Sequence, residues 1–238
     1  MRPFGHAADL DLDLGQPDRP GLVTMLLAQC GESHDPNFWW SQPVGGRTAA
    51  LLRLVALTEQ RDSISMSARC TADACGESFE FELPLRALPG GVPDSGPLPV
   101  QLDDGRTLTM RRPTGHDLSH WRDAQPASRS EALRVMLGSL VLAGHAGPED
   151  EAAVSKAIAA MDPLVGFTVS CSCPACGAPN EVEVDLEELA LRRLAGRQRA
   201  LLQEVHRFAT CYGWTESEVL AVPPARRALY LALIEDQR

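Results

Sequence analysis

The sequence lacks a long apolar run, contains few aromatic residues and is almost without lysine. No run reaches the roughly 18 apolar residues that a membrane-spanning helix requires. Phe, Trp and Tyr make up 5% of the 238 residues, so we expect a core formed mainly by Leu, Val and Ala. Lys156 is the single lysine among 22 basic residues, and 32 acidic residues give a net charge of −10. A chain of this sign is a poor general binder of nucleic acid or of anionic membrane.

The N-terminus also lacks the features of a secretory signal. The segment MRPFGHAADLDLDLG has no apolar centre and carries several acidic residues. Seven cysteines without such a signal indicate a reducing compartment, and they favour metal binding over disulfide bonds. We therefore expect a cytoplasmic protein, either free or incorporated in an assembled particle.

Motifs typical of enzymes are absent as well. The chain contains no GxSxG, P-loop or GxGxxG sequence, and its six His show no HExxH spacing. His116 and His120 lie four residues apart on a predicted helix and could share a metal, or they could be solvated or capping residues. Asp103 and Asp104 belong to a predicted turn rather than to an acid–base pair. The sequence thus predicts a non-enzymatic protein without a small-molecule substrate.

A cysteine element occurs twice in the chain, at residues 63–85 and 166–186. In each copy a strand-like run enters a cysteine turn, a Gly follows the last cysteine, and an alternating strand comes next. The apolar positions of these alternating strands are Phe79, Phe81 and Leu83 in the first copy and Val182, Val184 and Leu186 in the second. Alternation with a period of two is typical of half-buried strands, so we interpret the copies as two halves of one unit.

The two cysteine turns predict a structural zinc site, because zinc takes four tetrahedral ligands and thiolates suit it. The second turn reads CPACG and supplies Cys173 and Cys176, and the first supplies Cys70 and Cys75. Paired cysteine turns between strands are typical of a zinc ribbon, although the first turn has four residues between its cysteines rather than two. Cys171 is an alternative ligand. Metal-free thiols or a redox pair are the other interpretations, but a redox CxxC is expected to open a helix.

The chain divides into five parts on this basis. They are a lead-in and helix (1–62), the first half of the ribbon (63–88), an inserted hairpin and helical region (89–165), the second half of the ribbon (166–186) and a helical C-terminal segment (187–238). The predicted fold class is therefore α+β, with a small zinc-ribbon-like β unit built from two distant cysteine halves.

The lead-in allows more than one interpretation. Asp9, Asp11 and Asp13 alternate with leucines, which indicates an edge strand or a solvated tail, and the Gly and Pro that follow favour the tail. The aromatic run at residues 38–40 is either a plug that closes one end of the core or an interface anchor. An apolar stripe predicts a helix over residues 47–57.

The inserted region begins with a Gly- and Pro-rich linker at residues 89–99. A hairpin follows, with the Asp-Gly pair at residues 104–105 as its turn. Three helices are then expected, beginning near Asp117, Ser128 and Pro148. A metal bound by the cysteines would hold the base of this insertion together, since its ligands are remote in sequence.

A long amphipathic helix is expected from Leu186 to about Ala209, because apolar residues recur there every seven positions. These residues are Leu194, Leu201 and Phe208. The pair Tyr212 and Gly213 ends the helix. A capping box of Thr215 and Glu218 then begins a short helix, with Trp214 as a staple onto Val219, and a last helix follows the Pro-Pro pair at residues 223–224.

Four sequence features together resemble the baseplate hub assembly chaperones of T-even-like contractile phages and of phage-tail-like contractile injection systems. They are the two CPxCG-like halves, the hairpin running into RRPTGHDL, the MDPL before the second half, and EVHRFATCYGWTESEVLAVPPARRALYLALI. The resemblance covers roughly residues 45–238, and YGWTExEVL…PxxRRxxYL is its most specific part. It implies a non-enzymatic protein that promotes or joins assembly of the baseplate hub and spike, whose proteins would be its partners. The longer first cysteine turn and Cys171 depart from the family pattern.

The C-terminal segment is also predicted to bind a partner. From Asp185 onward 8 acidic residues are balanced by 8 Arg, whereas the body before it carries the whole net charge. Trp214 and Tyr230 are candidate contacts, because aromatic residues and Arg are enriched where interfaces carry their energy. Arg226 and Arg227 begin the last helix, where the helix dipole disfavours cations, so we expect them to face an acidic surface. That surface belongs either to a hub or spike protein or to the acidic body.

A zinc-ribbon adaptor or transcriptional regulator is the alternative function. A reader of nucleic acid would present a basic patch, which the acidic body disfavours. The neutral C-terminal segment leaves this alternative open.

Overall fold

A computed structural model describes residues 1–88 and 96–236, and this part of the chain forms an α+β fold. Its helices are α1 (Ala7–Leu10), α2 (Arg19–Cys30), α3 (Pro36–Ser41), α4 (Val44–Glu59), α5 (Gly115–Ala124), α6 (Arg129–Leu140), α7 (Glu151–Met161), α8 (Leu186–Tyr212), α9 (Glu216–Ala221) and α10 (Pro224–Asp236). Its strands are β1 (Ser63–Arg69), β2 (Ser78–Pro84), β3 (Leu98–Gln101), β4 (Thr107–Met110), β5 (Val141–Ala143), β6 (Phe167–Ser172) and β7 (Pro179–Val184). Most of the linker predicted at residues 89–99 lies outside the described residues.

The strands form three small antiparallel sheets. β1 pairs with β2, β6 pairs with β7, and β3, β4 and β5 form a sheet in that order. The two cysteine elements are therefore separate hairpins, as the sequence predicts. Val141 follows α6 directly, begins β5 and pairs with Met110.

The larger core lies between α2, α4 and α8. It is filled mainly by leucines, among them Leu22, Leu26, Leu27, Leu51, Leu54, Leu191 and Leu194. Ile64 and Leu83 of the first hairpin and Val184 of the second close one side of this core. Both hairpins are therefore anchored at their base in the same apolar cluster, and their cysteine turns extend away from it.

The first residues of the chain belong to this core, so the expected solvated tail is wrong. Asp9 is 0% exposed, and its carboxylate accepts two hydrogen bonds of 2.7 Å from the Arg2 guanidinium. The backbone N–H groups of Gly5 and His6 also donate to it. Burial alone would raise the pKa of Asp9, but these donors hold it at about 2. An acidic residue is tolerated inside because every lone pair of the carboxylate has a donor within reach.

The three aromatic residues at 38–40 do not share one environment: one is buried as a core plug, and another is exposed as an interface anchor would be. Trp39 is buried in the core and donates its Nε1–H to the Ser33 carbonyl at 2.8 Å, as a plug would. Phe38 is 44% exposed. Trp40 stacks on His116 with ring centroids 5.9 Å apart, and the Arg47 guanidinium lies 5.2 Å from the Trp40 ring centroid.

The helix expected at residues 47–57 is longer in the structure, because α4 starts at Val44. Gly45 lies in its first turn and donates its N–H to Asp162 at 2.8 Å, and Asp162 is buried. A Cβ at residue 45 would overlap the Asp162 carboxylate, so only Gly fits here. The MDPL segment thus contacts the start of α4 directly.

The inserted region has a smaller core of its own. Its buried residues are Val100, Leu102, Leu108, Met110, Leu137, Leu140 and Val154. The predicted hairpin is confirmed as β3 and β4, and the three predicted helices correspond to α5, α6 and, after a 3-10 turn at Pro148–Asp150, α7. In the RRPTGHDL segment Asp117 caps α5 through Thr114 and pairs with Arg111 at 2.6 Å.

The long amphipathic helix is confirmed as α8, which has 27 residues and ends at Gly213 in a left-handed conformation. Its seven-residue row of Leu194, Leu201 and Phe208 is buried. The capping box of Thr215 and Glu218 is also confirmed at the start of α9. Among residues 1–88 and 96–236, no helix combines the length and apolar character that crossing a bilayer requires.

Candidate metal centre

The first cysteine turn extends from the β1–β2 hairpin. Cys70 follows directly after β1 and donates its backbone N–H to the Glu77 carbonyl at 2.9 Å. The Cys75 N–H donates to the Ala72 carbonyl at 2.9 Å, and Gly76 has a φ of +62°. Since that conformation is strained for any residue with a Cβ, Gly lets the chain turn back into β2 after the second cysteine.

The second turn repeats this arrangement with a tighter loop. Cys173 follows β6 and donates its N–H to the Ala178 carbonyl at 2.9 Å. Gly177 has a φ of +74° and donates its N–H to the Cys173 carbonyl at 2.8 Å. In both copies the N–H of the first cysteine of the turn donates to the carbonyl of the residue just before the return strand, so the two additional residues of the first turn lie entirely within its loop. The longer spacing therefore does not prevent the first turn from presenting both thiols.

The two turns bring the four predicted cysteines together. The Sγ atoms of Cys70, Cys75, Cys173 and Cys176 all lie within 4.8 Å of one another. The Sγ atoms of Cys70 and Cys176 are 3.6 Å apart, and those of Cys75 and Cys173 are 3.8 Å apart. Each close pair joins one thiol from each hairpin, so this group could hold a metal ion across the two halves of the unit.

The thiols in this group differ in acidity. The backbone N–H of Cys176 donates to the Cys173 sulfur and contributes most to lowering the pKa of Cys173 to about 7. The Glu77 N–H favours the Cys75 thiolate, but the neighbouring thiols of Cys176 and Cys173 outweigh it and raise the pKa of Cys75 to about 12. Ionisation of one thiol thus disfavours ionisation of the next, as like charges at this distance require.

Asn180 connects the two hairpins beside the sulfur cluster and was not found by the sequence analysis. It is 2% exposed, and its Oδ1 accepts hydrogen bonds from the N–H and the hydroxyl of Thr71 at 2.8 and 3.0 Å. Its Nδ2 donates to the Ala178 carbonyl at 2.9 Å and lies 3.9 Å from the Cys70 sulfur. The sequence pattern could have indicated this role. Asn180 lies on the same inward face of β7 as Val182 and Val184, and a buried amide there needs hydrogen-bond partners.

The other cysteines and histidines that were considered as ligands lie outside this group. Cys171 is half-buried on β6 and packs against the cluster, but its sulfur is not one of the four that converge. His116 stacks on Trp40, and no group of three or more potential ligands in the described part of the chain includes His116 or His120. Cys30 is buried elsewhere, where desolvation raises its pKa to about 12.

No protein-family model, no curated protein and no solved structure matches the chain. The resemblance to baseplate hub assembly chaperones therefore depends on the motifs in the sequence. The geometry of the cysteine cluster is independent of that resemblance, because it follows from the fold of this chain.

The structure separates the predicted partner-binding residues into different environments. Arg227 is 4% exposed, pairs with Glu204 at 2.8 Å and donates to the Val222 carbonyl at 3.0 Å. Its assignment to a partner surface is therefore wrong, because its guanidinium connects α10 to α8 and to the end of α9. Arg226 is exposed.

Trp214 and Tyr230 lie half-buried in an aromatic cluster at the end of α8. The Trp214 ring stacks on Phe208 with centroids 5.3 Å apart, and Tyr230 meets both rings edge-on. Tyr212 completes the cluster and is 38% exposed. The most specific part of the sequence motif therefore forms one packed unit that fixes α9 and α10 against α8.

Proposed function

We propose that Cys70, Cys75, Cys173 and Cys176 bind one structural zinc ion. Zinc–thiolate bonds of about 2.3 Å place tetrahedral sulfurs about 3.8 Å apart. The two close Sγ pairs, at 3.6 and 3.8 Å, fit this spacing. An all-sulfur donor set favours zinc over magnesium or calcium, and four protein ligands leave no open position for a substrate. This convergence is the observation that carries the metal assignment.

The role of the ion in this proposal is to join two parts of the chain that no sheet connects. The β1–β2 and β6–β7 hairpins are separate sheets, and the inserted region with its own small core lies between them in sequence. Ligands that meet only in the folded state convert binding free energy into folding free energy. The ion would therefore fix both hairpins and, through them, the two ends of the insertion.

We further propose that the chain is a non-enzymatic assembly protein, a chaperone or adaptor, for the baseplate hub and spike of a contractile phage tail or injection system. The proposal is supported by the motif resemblance and by the neutral C-terminal segment on an acidic body. The exposed edge of the aromatic cluster, at Tyr212, Trp214 and Tyr230, is the surface we assign to the hub or spike partner, because aromatic residues are enriched in such contacts.

Affinity purification tests this function. Tagged protein recovered from cells that produce the particle should carry hub or spike proteins, identified by mass spectrometry. Tyr212→Ser should reduce their recovery, whereas Phe38→Ser, which changes a comparably exposed aromatic residue on α3, should not. Recovery of transcription proteins or of nucleic acid instead would favour the regulator, and equal recovery with both variants would exclude the cluster edge as the contact.

A further inference from the structure

The last helix, α10, has an apolar face that nothing in the described part of the chain covers. Leu229 and Leu233 are 68% and 53% exposed, and they lie one turn apart on the same side of the helix. The opposite side carries the buried residues Arg227 and Ile234, which pack toward α8. Exposed leucines at a spacing of four residues are typical of a helix that pairs with another helix.

Two charges lie at the ends of this apolar face. Arg226 lies three residues before Leu229, and Asp236 lies three residues after Leu233. Both are exposed, and neither side chain makes an ion pair within the described residues. Because the spacing is the same at both ends, an antiparallel copy of α10 with Leu229 against Leu233 would also place Arg226 against Asp236.

Each of these charges is also at the less favourable end of its own helix. Cations are disfavoured in a first turn and anions in a last turn, since the helix dipole is positive at its N-terminus and negative at its C-terminus. Arg226 is in the first turn of α10 and Asp236 is its last residue. Beside an antiparallel second copy, Arg226 would lie near a helix C-terminus and Asp236 near a helix N-terminus, where both charges are favourable.

We propose that α10 binds α10 of a second copy of this chain in antiparallel orientation. The pairing is symmetric, because each contact occurs twice around one two-fold axis. Leu229 packs against Leu233 of the second copy, and Arg226 pairs with its Asp236. The inference is independent of the function proposed above, since it needs only the chain itself.

The length of α10 limits how tightly the two copies are expected to bind. A helix of 13 residues is about 20 Å long, so α10 alone forms less than the roughly 1,600 Å² of a standard interface. The dimer should therefore dissociate on dilution, and added salt should weaken it because exposed ion pairs are screened. Sedimentation velocity over a concentration series, at low and high salt, measures both effects.

Charge reversal distinguishes self-pairing from any other use of this face. Arg226→Glu alone and Asp236→Arg alone each set like charges against one another, so each variant should be monomeric. An equimolar mixture of the two variants should form a heterodimer, because one ion pair is then the wild-type Arg–Asp pair and the other is restored with opposite polarity. Each reversal also improves the local dipole interaction, so neither variant should lose helix content or melt at a lower temperature in its monomeric form.

The leucines provide the second arm of the test. Leu229→Ser with Leu233→Ser should abolish the dimer, and Leu202→Ser, which changes an exposed leucine on α8, should retain it. A wild-type chain that stays monomeric at the highest soluble concentration overturns the proposal. So does a variant mixture that remains monomeric, and if Arg226→Glu then loses a hub protein instead, the face belongs to that partner.

Discussion

Cys70 and Cys176 are separated by 106 positions in the sequence, yet their Sγ atoms lie 3.6 Å apart. The pair joins the first cysteine of one hairpin to the last cysteine of the other. Asn180 reinforces the same junction through its hydrogen bonds to Thr71. The contact between the two cysteine turns is thus made by side chains, which explains why it should be sensitive to metal removal and to single substitutions.

Zinc content is the first prediction. Purified protein should contain about one zinc per chain by elemental analysis, and chelation should lower its melting temperature, because binding energy at such a site is folding energy. Cys70→Ser or Cys173→Ser should lose the metal. Cys171→Ser is the matched control and should keep it, since the Cys171 sulfur lies outside the group of four. Metal-free protein, purified without chelators, would contradict the assignment.

The hydrogen bonds of Asn180 give a second prediction. Asn180→Ala should reduce the free energy of unfolding by about 1–3 kcal/mol, because the Thr71 N–H loses its acceptor and the Ala178 carbonyl loses one of its two donors. Urea denaturation at saturating zinc measures the change. Glu183→Ala, on an exposed position of the same strand, should change stability by less than about 0.5 kcal/mol. Equal stability of Asn180→Ala and wild type would mean that the junction depends on the thiols alone.

Substitutions of the neighbouring residues Arg226 and Arg227 should have different effects on the stability of the protein. Arg227→Ala should destabilise the protein by about 2 kcal/mol, because the Val222 carbonyl and the Glu204 carboxylate each lose a charged donor. Arg226→Ala should leave the stability of the monomer within about 0.5 kcal/mol of wild type, since its side chain is exposed. Thermal and chemical unfolding at low protein concentration separate these effects from self-association. A reversed order of stabilities would contradict the burial of Arg227.

Acid stability should depend on Asp9. Its folded-state pKa of about 2 lies below the ordinary value of 3.8, so the ionised carboxylate contributes stability above the ordinary value. That contribution, about 2 kcal/mol, should be lost as the pH falls from about 5 through 2. Asp9→Asn should therefore be less stable at pH 7 and should lose less stability across that window.

The control for Asp9 is Asp11→Asn, which changes an exposed carboxylate two residues away. It should show the wild-type stability at pH 7 and the wild-type loss in acid. Unfolding curves at pH 7, 5, 4 and 3 are sufficient for the comparison. An Asp9→Asn protein with the wild-type acid transition would show that another group controls acid unfolding.

Local patterns predicted much of the secondary structure. The alternating apolar residues after each cysteine turn, the Asp-Gly turn at residues 104–105 and the Thr215–Glu218 capping box all correspond to elements of the structure. Each depends on neighbours within a few residues, so one chain segment contains the whole signal. The four cysteines were also grouped correctly, because paired turns of one chemistry imply a common ligand.

The errors concern residues whose partners are distant. Asp9 was assigned to a solvated tail because Gly and Pro follow, and Arg227 to a partner surface because the helix dipole disfavours a cation in the first turn. Asp9 is buried against α2, whose Gln29 donates to its carboxylate at 2.6 Å, and Arg227 is buried because α8 presents a carboxylate and α9 and the residue after it present carbonyls. Neither environment can be derived from local sequence, because it exists only after the helices have packed.

The sequence by itself therefore determined the hairpins, the helices from α4 onward and the thiols that are available for a metal. Turn glycines, caps and apolar periodicity act through bonds and contacts close in the chain, and they act in the same way in any fold. Only the tertiary structure decided that the two cysteine turns face each other, that Asn180 joins them and that Leu229 and Leu233 stay uncovered on α10. These features depend on how buried surfaces and polar partners are shared among distant segments, which is a property of the packed chain as a whole.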